Sequence, residues 1–322
     1  MSLKTIKKPI ETELVEFEKR FRTSMESPIP LLDKVTNYIV RRKGKQMRPM
    51  FVFLCAKLCG KVNEATYNAA SFVELLHTAT LVHDDVVDDA YERRGFFSIN
   101  ALWKNKVAVL VGDYLFSRGM NLALKHNEFR FLSIVSEAVN EMVEGELLQL
   151  EKARRLDIKE DIYYEVIRKK TASLIASACR AGSVSASNDD EIGRQMHQFG
   201  EKIGIAFQIR DDLFDFGTDD VGKPLGIDIK EKKMTLPLIY ALDKTDKSTK
   251  RHIINLIKNK STDPEKVAEV VDFVRKSGGL EYAKQVMYNY RKEAFDILES
   301  FKDSAAKTAL IDLVTFVTER KK

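Results

Sequence analysis

Cysteine is nearly missing from this chain. Only Cys55, Cys59 and Cys179 occur in 322 residues, an odd and sparse set that excludes a disulfide framework and fits a reducing compartment. Cys55 and Cys59 stand four apart, but no second pair completes a metal-ligand pattern, so both read as buried apolar residues. Glycine (15) and proline (7) are also scarce, which argues against an all-β chain with many tight turns. No charge sign dominates. The 53 basic and 48 acidic residues leave a net charge of +5, too little to suggest nucleic acid as a partner. No apolar run approaches the ~18 residues that a bilayer span requires, so no transmembrane segment is expected. Glu11, Glu13, Glu16 and Glu18 stand where a signal peptide would be apolar, and the reading is cytoplasmic.

What is present is an ordinary globular balance, with 44% hydrophobic and 31% charged residues. A chain this long buries a sizeable core without staples. Apolar residues recur at three and four from Ala65 to Val87, Lys106 to Met120, Phe129 to Leu150, Ile162 to Cys179 and Ile192 to Phe216, the period of helices. No segment alternates with period two. The breaks are local: Ser27-Pro28, Arg48-Pro49, Gly95, Gly182 to Asp190, Gly217 to Gly226 and Ser277 to Gly279. With no linker or composition shift, residues 1–322 read as a single all-α domain, one large helical bundle.

One short pattern occurs twice. Asp84-Asp85-Val86-Val87-Asp88 and Asp211-Asp212-Leu213-Phe214-Asp215 both have the form Asp-Asp-x-x-Asp, near the C-terminal end of a long apolar helix. Residues four apart project about 40° from one another, so Asp84 and Asp88 share a face, as do Asp211 and Asp215. Like charges at that spacing oppose the helix, and acids at its C-terminus oppose the macrodipole. A solvated acidic helix end explains one such cluster, but not two. Hard oxygen donors in short clusters suit Mg²⁺ or Mn²⁺, and Mg²⁺ completes its shell with water and substrate phosphate.

Basic residues accompany both clusters: Lys45 and Arg48 before a helix, Arg93 and Arg94 after the first cluster, Lys170, and Lys223 and Lys233 after the second. Arginine binds phosphate bidentately and lysine as a point charge. Each pair alone is ordinary surface. Around a site holding two diphosphates and three Mg²⁺, however, these seven cations and the six aspartates bring the total charge near zero, as a dehydrated site requires.

From Gly44 to about Tyr282 these residues resemble the trans-isoprenyl diphosphate synthases, or polyprenyl synthetases. The stretch LLHTATLVHDDVVDDAYERRG is most similar to long-chain members such as the octaprenyl diphosphate synthases. The resemblance implies a bundle around a central cavity. It implies head-to-tail condensation of isopentenyl diphosphate with an allylic diphosphate, with release of diphosphate. It assigns Lys45, Arg48, His77 and Arg94 to the isopentenyl diphosphate group. It places Arg93, Lys170, Thr171, Gln208, Lys223 and Lys233 on the allylic side, with Lys170, Thr171 and Gln208 facing the developing cation. Asp84, Asp88 and Asp211 become direct ligands of Mg²⁺, three ions per site, and Asp85, Asp212 and Asp215 act directly or through water. The family often has Gly-Lys where this chain has Lys232-Lys233, and x-Pro where it has Phe96-Phe97.

In the family, the fourth and fifth residues before the first aspartate govern product length. Here they are Thr80 and Ala79, both small, and the expectation is a product of thirty-five carbons or more for a quinone side chain. Phe72, Leu75 and Leu76 lie deeper as possible stops. The alternatives are a farnesyl or geranylgeranyl diphosphate synthase, or one subunit of a heteromeric synthase, although such subunits typically lose aspartates that are kept here. A class I terpene synthase would lack Lys45, Arg48 and the second cluster. A homodimer is expected by resemblance. The faces Leu115 to Met120 and Phe131 to Val139 are candidates for its interface, though periodicity does not separate interface from core.

Overall fold

The computed structural model describes residues 2–42, 44–93, 95–153, 156–217 and 226–319. Among them the chain forms sixteen α-helices and one two-stranded hairpin. The helices are α1 Leu3–Lys7, α2 Glu11–Ser24, α3 Pro30–Arg41, α4 Met47–Cys59, α5 Glu64–Val87, α6 Ile99–Lys125, α7 Phe129–Ala153, α8 Glu160–Ile167, α9 Ser173–Ser187, α10 Asp190–Phe214, α11 Ile227–Lys230, α12 Leu236–Asp243, α13 Lys247–Asn259, α14 Pro264–Lys276, α15 Gly279–Glu299 and α16 Ala305–Glu319. The hairpin, β1 Glu92–Arg93 and β2 Phe96–Phe97, is antiparallel and pairs Arg93 with Phe96. The all-α reading holds.

Local chemistry sets the ends of the two helices that carry the acidic clusters. Before α5, the Asn63 side chain accepts from the Thr66 N–H at 3.1 Å, and the Thr66 hydroxyl accepts from the Asn63 N–H at 3.2 Å. This reciprocal cap satisfies two donors that the first turn leaves over. Before α10, the Asp189 carboxylate accepts from the N–H groups of Glu191 and Ile192.

Three expected boundaries fall elsewhere. Arg48-Pro49 is the first turn of α4 rather than a break, because a proline there lacks only an N–H that would be unpaired anyway. Gly182 lies inside α9, which runs on to Ser187. A Cβ on Gly182 would stand 2.2 Å from the Val52 carbonyl oxygen, so this glycine marks the close crossing of α9 over α4. The single helix expected from Ile162 to Cys179 is interrupted by a π-helical turn, Arg168–Ala172.

The apolar interior forms two clusters, and α10 passes through both. Met196, Phe199 and Ile203 join α4, α5 and α9 in the larger one. Ile205, Ile209 and Leu213 join the helices after residue 226 in the other. The acidic end of α10 therefore emerges from packed core on a rigid rod.

Among the described residues one helix, α6, is long and apolar enough to cross a membrane by length and composition, which the sequence reading did not expect. One of its faces, through Val111, Leu115 and Gly119, is buried in the larger cluster.

Candidate active site

Asp84 and Asp85 occupy the last turn of α5 and Asp88 is its C-cap. Asp211 and Asp212 occupy the last turn of α10 and Asp215 is its C-cap. Burial, with help from Glu146, pushes the Asp84 carboxyl up to about 6, while Lys170 pulls it down. Lys233 in turn feels Asp88 as well as its own neighbours Glu231 and Asp228. Lys170 and Lys233 share the wall of one small cavity with Asp212, and each is also coupled in charge to an aspartate of the first cluster.

Each acid has a distinct setting. Asp85 accepts from the Arg93 guanidinium at 2.5 Å, which ties the hairpin to α5. Asp212 is 5% exposed. One of its oxygens accepts from the Tyr163 hydroxyl at 2.7 Å and the other from the Gln208 amide at 2.9 Å. Burial pushes it up to about 6 against those hydrogen bonds. Asp215 accepts from the N–H groups of Ile227 and Asp228 at 2.7 and 3.2 Å, and so anchors the start of α11.

The π turn carries the next group. An inserted residue there turns side chains out of the α-helical register, a device common at functional sites. The Lys170 ammonium meets the Glu146 carboxylate at 2.5 Å. The Thr171 hydroxyl donates to the Gln208 amide oxygen at 2.9 Å. An ionised Asp212 only accepts, so Gln208 turns its NH₂ to Asp212 and its oxygen to Thr171. Gly204 sits behind this turn, where a Cβ would stand 2.4 Å from the Ala172 Cα.

Two cavities adjoin these groups. The smaller, about 210 Å³, is walled by Lys170, Thr171, Gln208, Asp212, Asp228 and Lys233. The larger, about 660 Å³, has Lys45, Arg48 and His77 in its wall with apolar Phe51, Ile203 and Phe207. Of the residues read from sequence, Lys45, Arg48 and His77 line the larger cavity and Lys170, Gln208 and Lys233 the smaller, with Thr171 in the wall of both; Arg93 is in the wall of neither. Arg94 and Lys223 lie outside the described residues. Ala79 is buried and the Thr80 hydroxyl donates to the His77 carbonyl. Neither is in the wall of these two cavities.

Sequence reasoning missed several participants. Asp228, in the smaller cavity, is pushed up to about 7 by burial and by Asp212 and Asp215. Tyr163 and Glu146 hold Asp212 and Lys170. No spacing rule picks out any of the three, because each acts on a residue far away in the chain.

Hard carboxylate oxygens, raised by burial and by one another, form a donor set that a divalent cation would relieve. Among the described residues no three Asp, Glu, His or Cys side chains converge on one point.

A family model described as polyprenyl synthetase matches residues 29–274. An octaprenyl diphosphate synthase of Escherichia coli is 32% identical over 322 residues, covering 99% of each chain. A polyprenyl synthase of Caulobacter crescentus, solved with calcium and isoprenyl diphosphate, superposes with a TM-score of 0.91 at 30% identity, over 100% of this chain and 98% of that one. A geranylgeranyl pyrophosphate synthase of Bacteroides thetaiotaomicron superposes with a TM-score of 0.84 at 40% identity, over 98% of each chain.

Proposed function

Because this chain belongs to the polyprenyl synthetase family, we propose that its two chambers hold the two diphosphates of a chain-elongation reaction. The chain is a prenyltransferase of the trans-isoprenyl diphosphate synthase type. The observation that carries the further assignment is that Thr171 lines both chambers, one walled by Lys45, Arg48 and His77 and the other by Lys170, Gln208 and Lys233.

The allylic diphosphate enters on the acidic side, where Arg93, Lys170, Lys223 and Lys233 oppose its charge. Asp84, Asp88 and Asp211 would hold Mg²⁺ directly, and Asp85, Asp212 and Asp215 would hold it directly or through water. Three ions per site balance the charge. When bound, Mg²⁺ supplies positive charge to the departing diphosphate. The Lys170 carbonyl, the Thr171 hydroxyl and the Gln208 amide oxygen face the allylic cation as electron-rich groups that do not attack it. Lys45, Arg48, His77 and Arg94 orient isopentenyl diphosphate so that its double bond reaches the cation. Loss of a proton then gives an allylic diphosphate one isoprene unit longer, with the released diphosphate as acceptor. Apolar walls exclude the water that would quench the cation.

The small Ala79 and Thr80 beneath the first cluster favour a product of thirty-five carbons or more, as does the likeness to the octaprenyl synthase. The likeness to the geranylgeranyl synthase favours twenty. The exposed apolar face of α6 and α7 fits a homodimer, and a cytoplasmic site of action accompanies this reading. The test is incubation of the pure protein with Mg²⁺, labelled isopentenyl diphosphate and farnesyl diphosphate, with the dephosphorylated products sized by chromatography. A ladder ending at one long prenol is expected, and Ala79→Tyr should shorten it. A ladder ending at twenty carbons would make it a geranylgeranyl synthase. No incorporation with any primer would point to a partner-requiring subunit.

A further inference from the structure

The residues following Arg93 depart from the family pattern at Phe96 and Phe97, and the structure gives those two a use. The Arg42 guanidinium lies 3.7 Å from the centre of the Phe96 ring and 5.1 Å from that of Tyr38. Tyr38 in turn meets Trp103 edge to face, with centroids 5.3 Å apart, and its hydroxyl donates to the Phe97 carbonyl at 2.7 Å. Tyr38 and Arg42 are four apart at the end of α3, so they rise from one helix face. The result is a ladder, Trp103–Tyr38–Arg42–Phe96, that joins α6, α3 and the hairpin. The other strand of the same hairpin is fixed to Asp85 through Arg93.

Arg42 and Phe96 both line the larger cavity, as do Lys45 and Arg48. Stacking uses the face of a guanidinium. Its five N–H donors lie in the plane, so a ring on the face does not engage them. Phe96 is itself 42% exposed, so its burial does not account for an aromatic at this place.

We propose that Arg42 is a further diphosphate-binding residue of the larger cavity, and that Phe96 is a positioning residue that aims it there. The proposal rests on the reading that this cavity takes isopentenyl diphosphate. Through Arg93 and Asp85, the same hairpin couples the aim of Arg42 to the first acidic cluster.

The test is steady-state kinetics on the full chain, with KM measured separately for isopentenyl diphosphate and for the allylic primer. Arg42→Ala should raise the isopentenyl diphosphate KM about tenfold, the value of one lost charge-assisted hydrogen bond. The allylic KM should stay within about twofold, since Arg42 does not line the smaller chamber. Phe96→Ala should raise the isopentenyl diphosphate KM about three- to fivefold, the scale of one exposed cation–π contact. Phe96→Trp should restore it. The double variant should be no worse than Arg42→Ala alone. If Phe96→Ala adds its full effect to Arg42→Ala, Phe96 does not act through Arg42 and the positioning role is wrong. Arg48→Ala separates the two levels of the argument. If it raises the isopentenyl diphosphate KM while Arg42→Ala leaves it unchanged, the assignment of Arg42 fails alone. If neither moves it, the reading of the cavity fails as well.

Discussion

At the scale of single residues, the site is a set of carboxylates held where carboxylates are costly. Burial pushes Asp84 and Asp212 up to about 6 and Asp228 up to about 7. A carboxyl raised in the folded state favours folding fully below its unfolded value, near ~3.9, and loses that contribution as pH rises through its folded value. The metal-free protein therefore forfeits stability between about pH 4 and pH 7 on account of these groups. Asp228→Asn removes one of the three penalties. Its thermal midpoint without metal should exceed that of the parent, and by more at pH 8 than at pH 5, as calorimetry in the two buffers would show. A gain larger at pH 5 would mean that the Asp228 carboxyl is not raised. The two Asp-Asp-x-x-Asp clusters were legible in the sequence because four-residue spacing fixes a shared face in any helix. Asp228 was not, since its setting depends on Asp215 accepting its N–H from across the loop. Arg42 was missed for a similar reason, as its partners Phe96 and Tyr38 meet only through the hairpin.

At the scale of elements, two glycines show what periodicity can and cannot say. Gly182 and Gly204 both lie inside helices and both permit a close crossing, Gly182 of α9 over α4 and Gly204 of α10 under the π turn. A glycine within a helical pattern reads as an end, and in the sequence Gly182 reads as one. Only the Val52 carbonyl in contact with it reveals its purpose. The π turn was equally hidden, because one inserted residue leaves an apolar pattern nearly unchanged. The two glycines nevertheless differ in consequence. Gly182→Ala and Gly204→Ala should each cost about 1–3 kcal/mol of stability by overpacking, read from the urea midpoint. Only Gly204→Ala should also lower kcat when assayed well below the melting range, because it displaces the turn that carries Lys170 and Thr171. Equal kcat values for the two folded variants would show that the π turn tolerates the shift.

At the scale of the whole molecule, the sequence located long amphipathic helices but not which of their faces look outward. Leu115, Phe131, Ile134 and Val135, within the two stretches that were candidates for an interface, are core. The apolar side chains left in solvent lie elsewhere on the same helices, where Leu110 is 59%, Val143 54% and Leu147 60% exposed. A 3.6-residue period marks an apolar face without saying whether it meets the same chain or another. On α7, Val143, Leu147 and Leu150 stand at i, i+4 and i+7 and form an exposed apolar stripe, while Leu110 is exposed on the preceding helix α6. An exposed apolar stripe of this kind marks a contact surface. It also accounts for the apolar length of α6 without a membrane, since a second copy of the chain laid across the stripe by a two-fold axis would bury it against itself. The expected species in sedimentation equilibrium is then a dimer. Leu110→Glu combined with Leu147→Glu should halve the mass, because each two-fold contact would then bring buried carboxylates against their symmetry mates. A variant that stayed dimeric would place the interface on another face, and one that was monomeric before substitution would leave the stripe for a different partner.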